Sequence, residues 1–294
     1  MILRWIPLVL LAAVLWRERP WAIPMSAQVV WAIAAAIVVN FAVSLPLKAA
    51  RWRVALPDPP PFREAMAAML EGLLAGAAIG FGSGDVVRTA RLPRGRALVA
   101  DYAASWAERG AEVFALALLV FVTALVTRLG APVLALSGLA AAAYVALLAG
   151  GRALTPRLGG WPRIQRAVSS ALHASAPAKV AAIVALSWLA WASEVAMLLL
   201  FQRGFHLEPS LRTAVLTLVG INAAIAIPAA PGNFGTFEAG AVIALCAAGA
   251  PRDLALSYAL TYHLTHVVPV AVVATVVYLM RSYRSTPAGA STAR

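Results

Sequence analysis

Long apolar segments follow one another along the whole chain and restrict what it can fold into. A membrane-spanning helix needs about 20 apolar residues. Hydrophobic types make up 62% of the 294 residues and charged types only 12%, about half the charged share of a soluble domain. A soluble protein could not bury this much apolar surface, and disorder requires the opposite composition. The sequence therefore predicts an all-α, polytopic integral membrane protein.

Most of these segments have the length expected of spanning helices, and two others are shorter and rich in glycine. We predict a single transmembrane domain over residues 1–294, a bundle of about seven or eight spanning helices with one or two broken or re-entrant helices. The predicted spans lie near 2–16, 27–45, 97–127, 131–150, 177–201, 210–228 and 252–280, and the candidate re-entrant segments at 64–82 and 233–249.

The first apolar segment has a second interpretation, as a signal peptide, because Arg4 precedes a run of suitable length. However, Arg17 and Glu18 follow the run directly, without a small-residue cleavage site. We therefore favour a short first spanning helix.

Arginine supplies most of the positive charge, which leaves the chain at a net +12, and the arginines lie mainly between and beside the apolar blocks. This distribution fits membrane topology and anionic lipid headgroups better than nucleic acid. Since cytoplasmic loops are enriched in Lys and Arg, we predict that both termini are cytoplasmic in a bacterial-type inner (plasma) membrane. The single cysteine, Cys246, excludes an internal disulfide.

Segment 64–82 begins and ends beside basic clusters, so the same rule predicts that it does not cross the membrane. Glycines recur every fourth residue from Gly72, on one helix face, and permit close packing. The helix should break where glycines crowd its end, at Gly80, Gly82 and Gly84. A re-entrant hairpin is favoured, and a tightly packed spanning helix is the alternative.

A second interruption contains Pro228, Pro231, Gly232 and Gly235, which cannot all lie inside one continuous helix. Residues 210–249 then form either a second re-entrant pair or two crossings. Interrupted segments in corresponding positions of two halves point to a transporter binding site. They also suggest an inverted repeat, although the halves share no clear residue-level similarity.

Several ionisable residues lie in or near predicted spans, where charge is costly and usually functional. Arg109 and Glu112 are three residues apart on a helix and can pair, with Glu108 close by. These residues form either a structural ion pair or part of a functional site. Glu194 has no charged residue within a helical turn, so its carboxyl group must be protonated or paired with another helix.

Polar residues near the C-terminal end add a second candidate group. Asn233 is the expected N-cap of the helix that follows the second interruption, and Glu238 either caps that helix or lines a cavity. His263 and His266 lie on the last helix, in a polar stripe with Tyr262. A packed polar face is a better interpretation than a metal site, and a proton relay that includes Glu194 stays open.

Motifs of soluble catalysis are absent from the sequence: it contains no P-loop, no G-x-S-x-G and no H-E-x-x-H. We therefore predict no catalytic residues, no metal and no cofactor. A membrane-embedded transferase that uses Glu194, His263 and His266 for acid–base chemistry is a less favoured alternative.

Three short motifs, taken together, resemble one known family. They are Leu47-Lys48-Ala49-Ala50-Arg51-Trp52-Arg53, then Gly84-Asp85-Val86-Val87-Arg88 with Ser105-Trp106-Ala107-Glu108-Arg109, and Pro231-Gly232-Asn233-Phe234-Gly235-Thr236-Phe237-Glu238. In this order they resemble signatures of the lysylphosphatidylglycerol synthase transmembrane family, also called flippase-like membrane proteins. One departure is Phe81-Gly82-Ser83, where the family usually has a proline.

The resemblance implies a membrane domain that moves lipids or lipid-linked groups between leaflets, here without the aminoacyl-transferase domain of full-length synthases and so not an enzyme. We expect arginines to bind a headgroup phosphate, and Glu108 and Glu238 to hold those arginines or a cationic group. The residues expected in the headgroup groove are Arg51, Arg53, Asp85, Arg88, Glu108, Arg109, Glu112, Asn233 and Glu238.

The expected partners are therefore membrane phospholipids or a lipid-linked substrate. The alternative is a non-transporting membrane partner of a lipid-modifying or glycosyl-transferring enzyme. Neither the lipid substrate nor the oligomeric state follows from the sequence.

Overall fold

The described part of the structure, a computed structural model, comprises Trp16 and residues 26–80, 82–92, 98–127, 130–158, 160–226 and 231–285. Its regular structure is entirely helical. The predicted span at 2–16 lies outside the described residues, apart from Trp16, and so does Pro228. The helices are α1 (Ala27–Val39), α2 (Leu45–Ala55), α3 (Phe62–Ile79), α4 (Ser83–Ala90), α5 (Leu98–Thr127), α6 (Ala131–Leu154), α7 (Pro162–Ala174), α8 (Pro177–Gly204), α9 (Leu211–Ile225), α10 (Thr236–Ala247) and α11 (Arg252–Ser285).

Five of the described helical stretches are long and apolar enough to cross a membrane, which confirms the prediction of an all-α polytopic membrane protein. The stretches are Ala27–Ala55, Leu98–Val126, Ala131–Arg157, Pro177–Gly204 and Arg252–Tyr283. The predicted span at 210–228 is the shorter apolar helix α9. The structure thus describes fewer full-length spans than the sequence suggested.

A π-helical turn, Asn40–Ser44, joins α1 and α2 into one continuous stretch. The sequence placed the basic residues Lys48, Arg51 and Arg53 after the helix at 27–45. In the structure they lie on α2, inside the same spanning stretch, and Arg51 is buried. The basic motif is therefore part of the helical core.

The first predicted break is present between α3 and α4. Gly80 and Gly82 have φ angles of 102° and 77°, which glycine adopts without steric cost. Gly84 does not break the helix as predicted: it lies in α4 and packs against Gly72, whose Cβ, if present, would lie 2.7 Å from the Gly84 carbonyl oxygen. The glycine repeat therefore closes the α3–α4 hairpin.

The second break separates α9 from α10 and has a similar construction. Its described part contains Gly232, inside a 3₁₀ turn that begins at Pro231, and Gly235, after that turn, at φ angles of 66° and 88°. A Cβ on Gly220 would lie 2.6 Å from the Gly240 carbonyl oxygen. Each hairpin is therefore closed by one glycine pair, a correspondence that sequence inspection did not reveal.

The two hairpins meet inside the bundle. The turn Pro231–Asn233 packs against α3, and Gly232 lies close to the carbonyl oxygen of Ala77, near the tip of the first hairpin. Helix α11 packs against both α3 and α10, while α8 packs against α1, α2, α5 and α9. Side chains on α11 are thus placed beside both hairpins.

The glycine contact in the first hairpin predicts a stability difference between two alanine substitutions. Gly72→Ala should lower the free energy of unfolding by about 1–3 kcal/mol, the usual cost of overpacking. A Cβ added to Gly150 would meet nothing within 4 Å, so Gly150→Ala should not destabilise α6. Thermal unfolding in detergent measures both, and equal losses would contradict the packing argument.

Candidate functional site

Six charged side chains from α2, α4 and α5 form a closed ring of alternating charge, which we call the charge ring. Each arginine contacts two carboxylates, and each carboxylate contacts two arginines. In order around the ring, the ion pairs are Arg51–Glu108 (2.6 Å), Glu108–Arg88 (2.9 Å), Arg88–Asp85 (2.9 Å), Asp85–Arg109 (3.3 Å), Arg109–Glu112 (3.1 Å) and Glu112–Arg51 (2.7 Å).

Pairing explains how the charge ring can be buried. Arg51, Arg88 and Glu108 are each at most 3% exposed, and an isolated charge at such a position would be strongly destabilising. Three guanidinium groups and three carboxylates cancel to zero net charge. The ring is therefore neutral as a unit, although every member is formally charged.

The ring has a buried edge and an accessible edge. The side chain of Arg109 is 46% exposed and that of Glu112 is 20% exposed, whereas Glu108 is fully buried. The two ion pairs of Arg109 are also the longest in the ring. A polar molecule outside the ring would therefore meet Arg109 first.

Neighbouring side chains hold the buried edge in place. The guanidinium of Arg88 lies 4.9 Å from the ring centroid of Trp52, a cation–π geometry. The indole N–H of Trp52 donates to Ser105 (2.8 Å), and Arg51 donates to the Ser187 hydroxyl (3.1 Å). The Nε of Arg88 is buried without a hydrogen-bond acceptor among the described residues, so this arginine keeps one unused donor.

A second polar group, the Glu194 site, surrounds the carboxylate of Glu194. It comprises Glu194, Ser44, Lys48, Tyr262 and His266. One carboxylate oxygen accepts from the Ser44 hydroxyl (3.0 Å) and the Lys48 ammonium (2.9 Å). The other accepts from Tyr262 (3.0 Å) and faces Nε2 of His266 at 3.0 Å. Glu194 is paired with other helices, as the sequence required.

A third contact, between Glu238 and His263, ties α11 to the second break. Oε1 of Glu238 lies 2.7 Å from Nδ1 of His263, and Oε2 accepts from the backbone N–H of Gly235 at 2.7 Å. Phe237 stacks on the His263 ring. Glu238 is therefore a buried capping residue paired with a histidine, and among the described residues it contacts no arginine; its role toward a cationic headgroup stays a prediction.

The structure brings together most, not all, of the residues that the sequence singled out. Asn233 lies in the 3₁₀ turn with a φ angle of 58°, and the helix N-cap is Gly235, so the predicted N-cap was wrong. Arg53 lies outside the charge ring and donates to the Pro60 carbonyl oxygen (2.8 Å). In the described part of the chain, no three His, Cys, Asp or Glu side chains converge as metal ligands would.

Three partners in these groups were missed by sequence reasoning: Ser44, Lys48 and Ser187. Lys48 lies three residues before Arg51, so both project from one face of α2. This three-residue spacing was the signal in the sequence, because it places the Lys48 ammonium on the same helix face as the Arg51 guanidinium. The two serines carried no comparable signal.

The comparisons with known proteins agree with this architecture. The family model described as the lysylphosphatidylglycerol synthase TM region matches residues 4–274, most of the chain. The chain belongs to this family. Neither the curated proteins nor the solved structures give a match. Membership of a lysylphosphatidylglycerol synthase TM family indicates a membrane protein of lipid-related function, and the residue motifs of the charge ring lie inside the matched region.

The ring geometry predicts unequal effects for two neighbouring arginines on α2. Arg51→Gln leaves the buried Glu108 with one fewer partner and should cost about 3–5 kcal/mol, as for a broken buried ion pair. Arg53→Gln removes one hydrogen bond and should cost about 1 kcal/mol. Denaturation in detergent compares the two, and similar losses would show that the ring does not stabilise the fold.

The third contact predicts energetic coupling between Glu238 and His263. A double-mutant cycle of Glu238→Gln and His263→Gln should give a coupling energy of about 0.5–3 kcal/mol. The matched cycle of Glu238→Gln with His266→Gln should be additive, because His266 faces Glu194 instead. Coupling of equal size in both cycles would argue against a specific pair.

Proposed function

We propose that this protein moves the polar headgroup of a phospholipid, or of another lipid-linked molecule, between the leaflets of a bacterial-type inner membrane. The observation that carries the proposal is the presence of two buried polar groups among apolar helices. The charge ring joins α2, α4 and α5, and the Glu194 site joins α2, α8 and α11. Ionisable residues inside membrane spans are rare and usually mark the path of a substrate or an ion.

The ion pairs of Glu71 mark the cytoplasmic side in this proposal. Arg91 at the end of α4 and Arg281 near the end of α11 both pair with the buried Glu71, at 2.7 and 3.1 Å. Two basic clusters that are far apart in sequence thus meet in space. Excess positive charge favours the cytoplasmic side, which would place the end of α11 there.

The hairpins would then be re-entrant. From Glu71 to Ile79, α3 rises about 12 Å, less than half of the hydrocarbon core. Helix α4, with 8 residues, returns to the level of Arg91. The glycine turns of both hairpins would meet at membrane depth, where non-helical backbone is tolerated only if it is buried in protein or lines a polar path.

The charge ring suggests how a headgroup enters. A phosphate can replace Asp85 and Glu112 as the partner of the half-exposed Arg109, through charge-assisted hydrogen bonds. The two released carboxylates then need a cation. A headgroup that carries both a phosphate and an amine satisfies all of these charges, so we propose such lipids as the preferred class.

Movement of the hairpins is part of the proposal, because the ring is packed closed in this structure. The two described cavities lie elsewhere, one of about 370 Å³ beside α7 and one of about 200 Å³ between α5, α6 and α9. The glycine pairs allow the two arms of each hairpin to contact each other through backbone. The hairpins are therefore the elements we expect to shift when a lipid enters.

Reconstitution tests the proposal. Proteoliposomes with fluorescent phosphatidylethanolamine or phosphatidylglycerol should exchange lipid between leaflets faster than protein-free vesicles. Arg109→Gln should slow the exchange, because it removes the accessible cation that first meets the phosphate. Arg163→Gln is the matched control, since Arg163 is exposed on α7 and outside the ring.

Wild-type protein that accelerates exchange of no lipid across a panel of headgroups would contradict the proposal. A lipid-modifying enzyme that co-purifies with such inactive protein would favour the role of a membrane partner. Loss of folded protein is checked by the melting temperature, which Arg109→Gln should lower less than Arg51→Gln because Arg109 is half exposed.

A further inference from the structure

The Glu194 site contains more hydrogen-bond donors than a structural ion pair needs. Its carboxylate faces a lysine, a histidine, a tyrosine and a serine, all within 3.0 Å. Glu194 itself is 8% exposed. Lys48 and His266 keep 28% and 19% of their side chains accessible. The site is therefore buried at its centre and open at Lys48 and His266.

The hydrogen bonds of His266 define where a proton can reside. Nδ1 lies 3.0 Å from the backbone carbonyl oxygen of Tyr262, which only accepts, so Nδ1 must carry a hydrogen. Nε2 lies 3.0 Å from the Glu194 carboxylate. One proton shared across this second contact can sit on Nε2, giving imidazolium and carboxylate, or on the carboxyl oxygen, giving two neutral groups.

The other titratable groups around the pair have defined partners. Tyr262 donates to the same carboxylate, and Tyr258, one turn away on α11, donates to the Leu198 carbonyl oxygen at 2.7 Å. His263 faces Glu238. From α2, Lys48 contacts Glu194 directly. On α5, Glu112 is paired with both Arg51 and Arg109.

We propose that Glu194 and His266 bind one exchangeable proton, and that its transfer to Glu194 releases Lys48 to bind a lipid phosphate. The second part rests on the proposed function. While Glu194 is ionised, Lys48 is held at 2.9 Å by its carboxylate. When the proton moves from Nε2 of His266 to the carboxyl oxygen, both groups become neutral and the Lys48 ammonium loses its counter-ion. A phosphate at Lys48 then supplies the missing charge.

The shared helix α2 gives this event a route to the charge ring. Lys48 lies one turn before Arg51, which holds both Glu108 and Glu112. A released Lys48 is the next cation that a phosphate meets after Arg109 at the ring. Proton binding and headgroup binding therefore favour one another, and such coupling must be reciprocal.

The linkage has a definite sign. At high pH the pair loses its proton, Glu194 is ionised, and Lys48 stays bound to it. Affinity for a lipid phosphate should therefore fall as the pH rises, by up to about tenfold per pH unit when one proton is linked to one lipid.

Infrared spectroscopy of the full-length protein in detergent tests the proton site without any transport assay. Adding an ether-linked phosphatidylethanolamine, which has a phosphate and an amine but no ester carbonyl of its own, to wild-type protein should increase the carbonyl band of a protonated carboxyl group. Glu194→Gln should abolish this increase, and Lys48→Gln should abolish the response to lipid. Glu71→Gln is the matched control, because Glu71 is also a buried carboxylate but pairs with Arg91 and Arg281, and it should leave the response intact.

Leaflet exchange in proteoliposomes supplies the second measurement. Wild-type exchange should respond to a pH difference across the membrane, and Glu194→Gln should lose that response. A lipid-induced band that persists in Glu194→Gln, or no band at all, would overturn the proton site. Exchange that occurs but ignores pH would overturn the coupling. Absence of exchange together with the expected band would count against the proposed transport function and not against the proton site.

Discussion

Charge inside a membrane must be paired, and this constraint governs the interior of the protein. The hydrocarbon core offers no solvent to a guanidinium or carboxylate, so each buried ion needs a partner from the chain. The charge ring meets this need collectively, because Arg51, Arg88 and Arg109 are matched by an equal number of carboxylates. The ring differs from three separate ion pairs, because loss of any one charged side chain leaves two neighbouring side chains with one ion-pair partner each instead of two.

The hairpins provide the geometry that the ring requires. Helix α4, with 8 residues, is too short to cross a bilayer by itself, and it brings Asp85 and Arg88 beside α5. The break at Gly80 and Gly82 makes that return possible. The hairpin of α9 and α10 has a corresponding glycine contact and a corresponding break, and its carboxylate, Glu238, faces α11. The helix that follows each break thus carries a buried acidic residue with a partner, Asp85 with Arg88 and Glu238 with His263.

Local features of this arrangement could be predicted from the sequence, and long-range ones could not. The length of the apolar segments predicted the helices, and the glycine clusters predicted the breaks. The three-residue spacing predicted the contact between Arg109 and Glu112. In contrast, Arg51 meets Glu108 from 57 positions away, and Lys48 meets Glu194 from 146 positions away. Helical periodicity says which face a side chain occupies but not which helix it faces. Gly84 was misassigned for a related reason, because a glycine that permits close packing and a glycine that ends a helix have the same composition signal.

The π-helical turn at Asn40–Ser44 sets the rotation of everything that follows it on α2. A π-helical turn accommodates one residue more than an α-helical turn, and one residue corresponds to about 100° around a helix axis. Removal of a single residue from this turn would restore a regular α-helix while rotating Lys48 and Arg51 away from Glu194 and Glu108. The extra residue of the π-helical turn therefore sets the direction in which the side chains of α2 point. An insertion or deletion here would be tolerated far less well than one in the loops that join the spans.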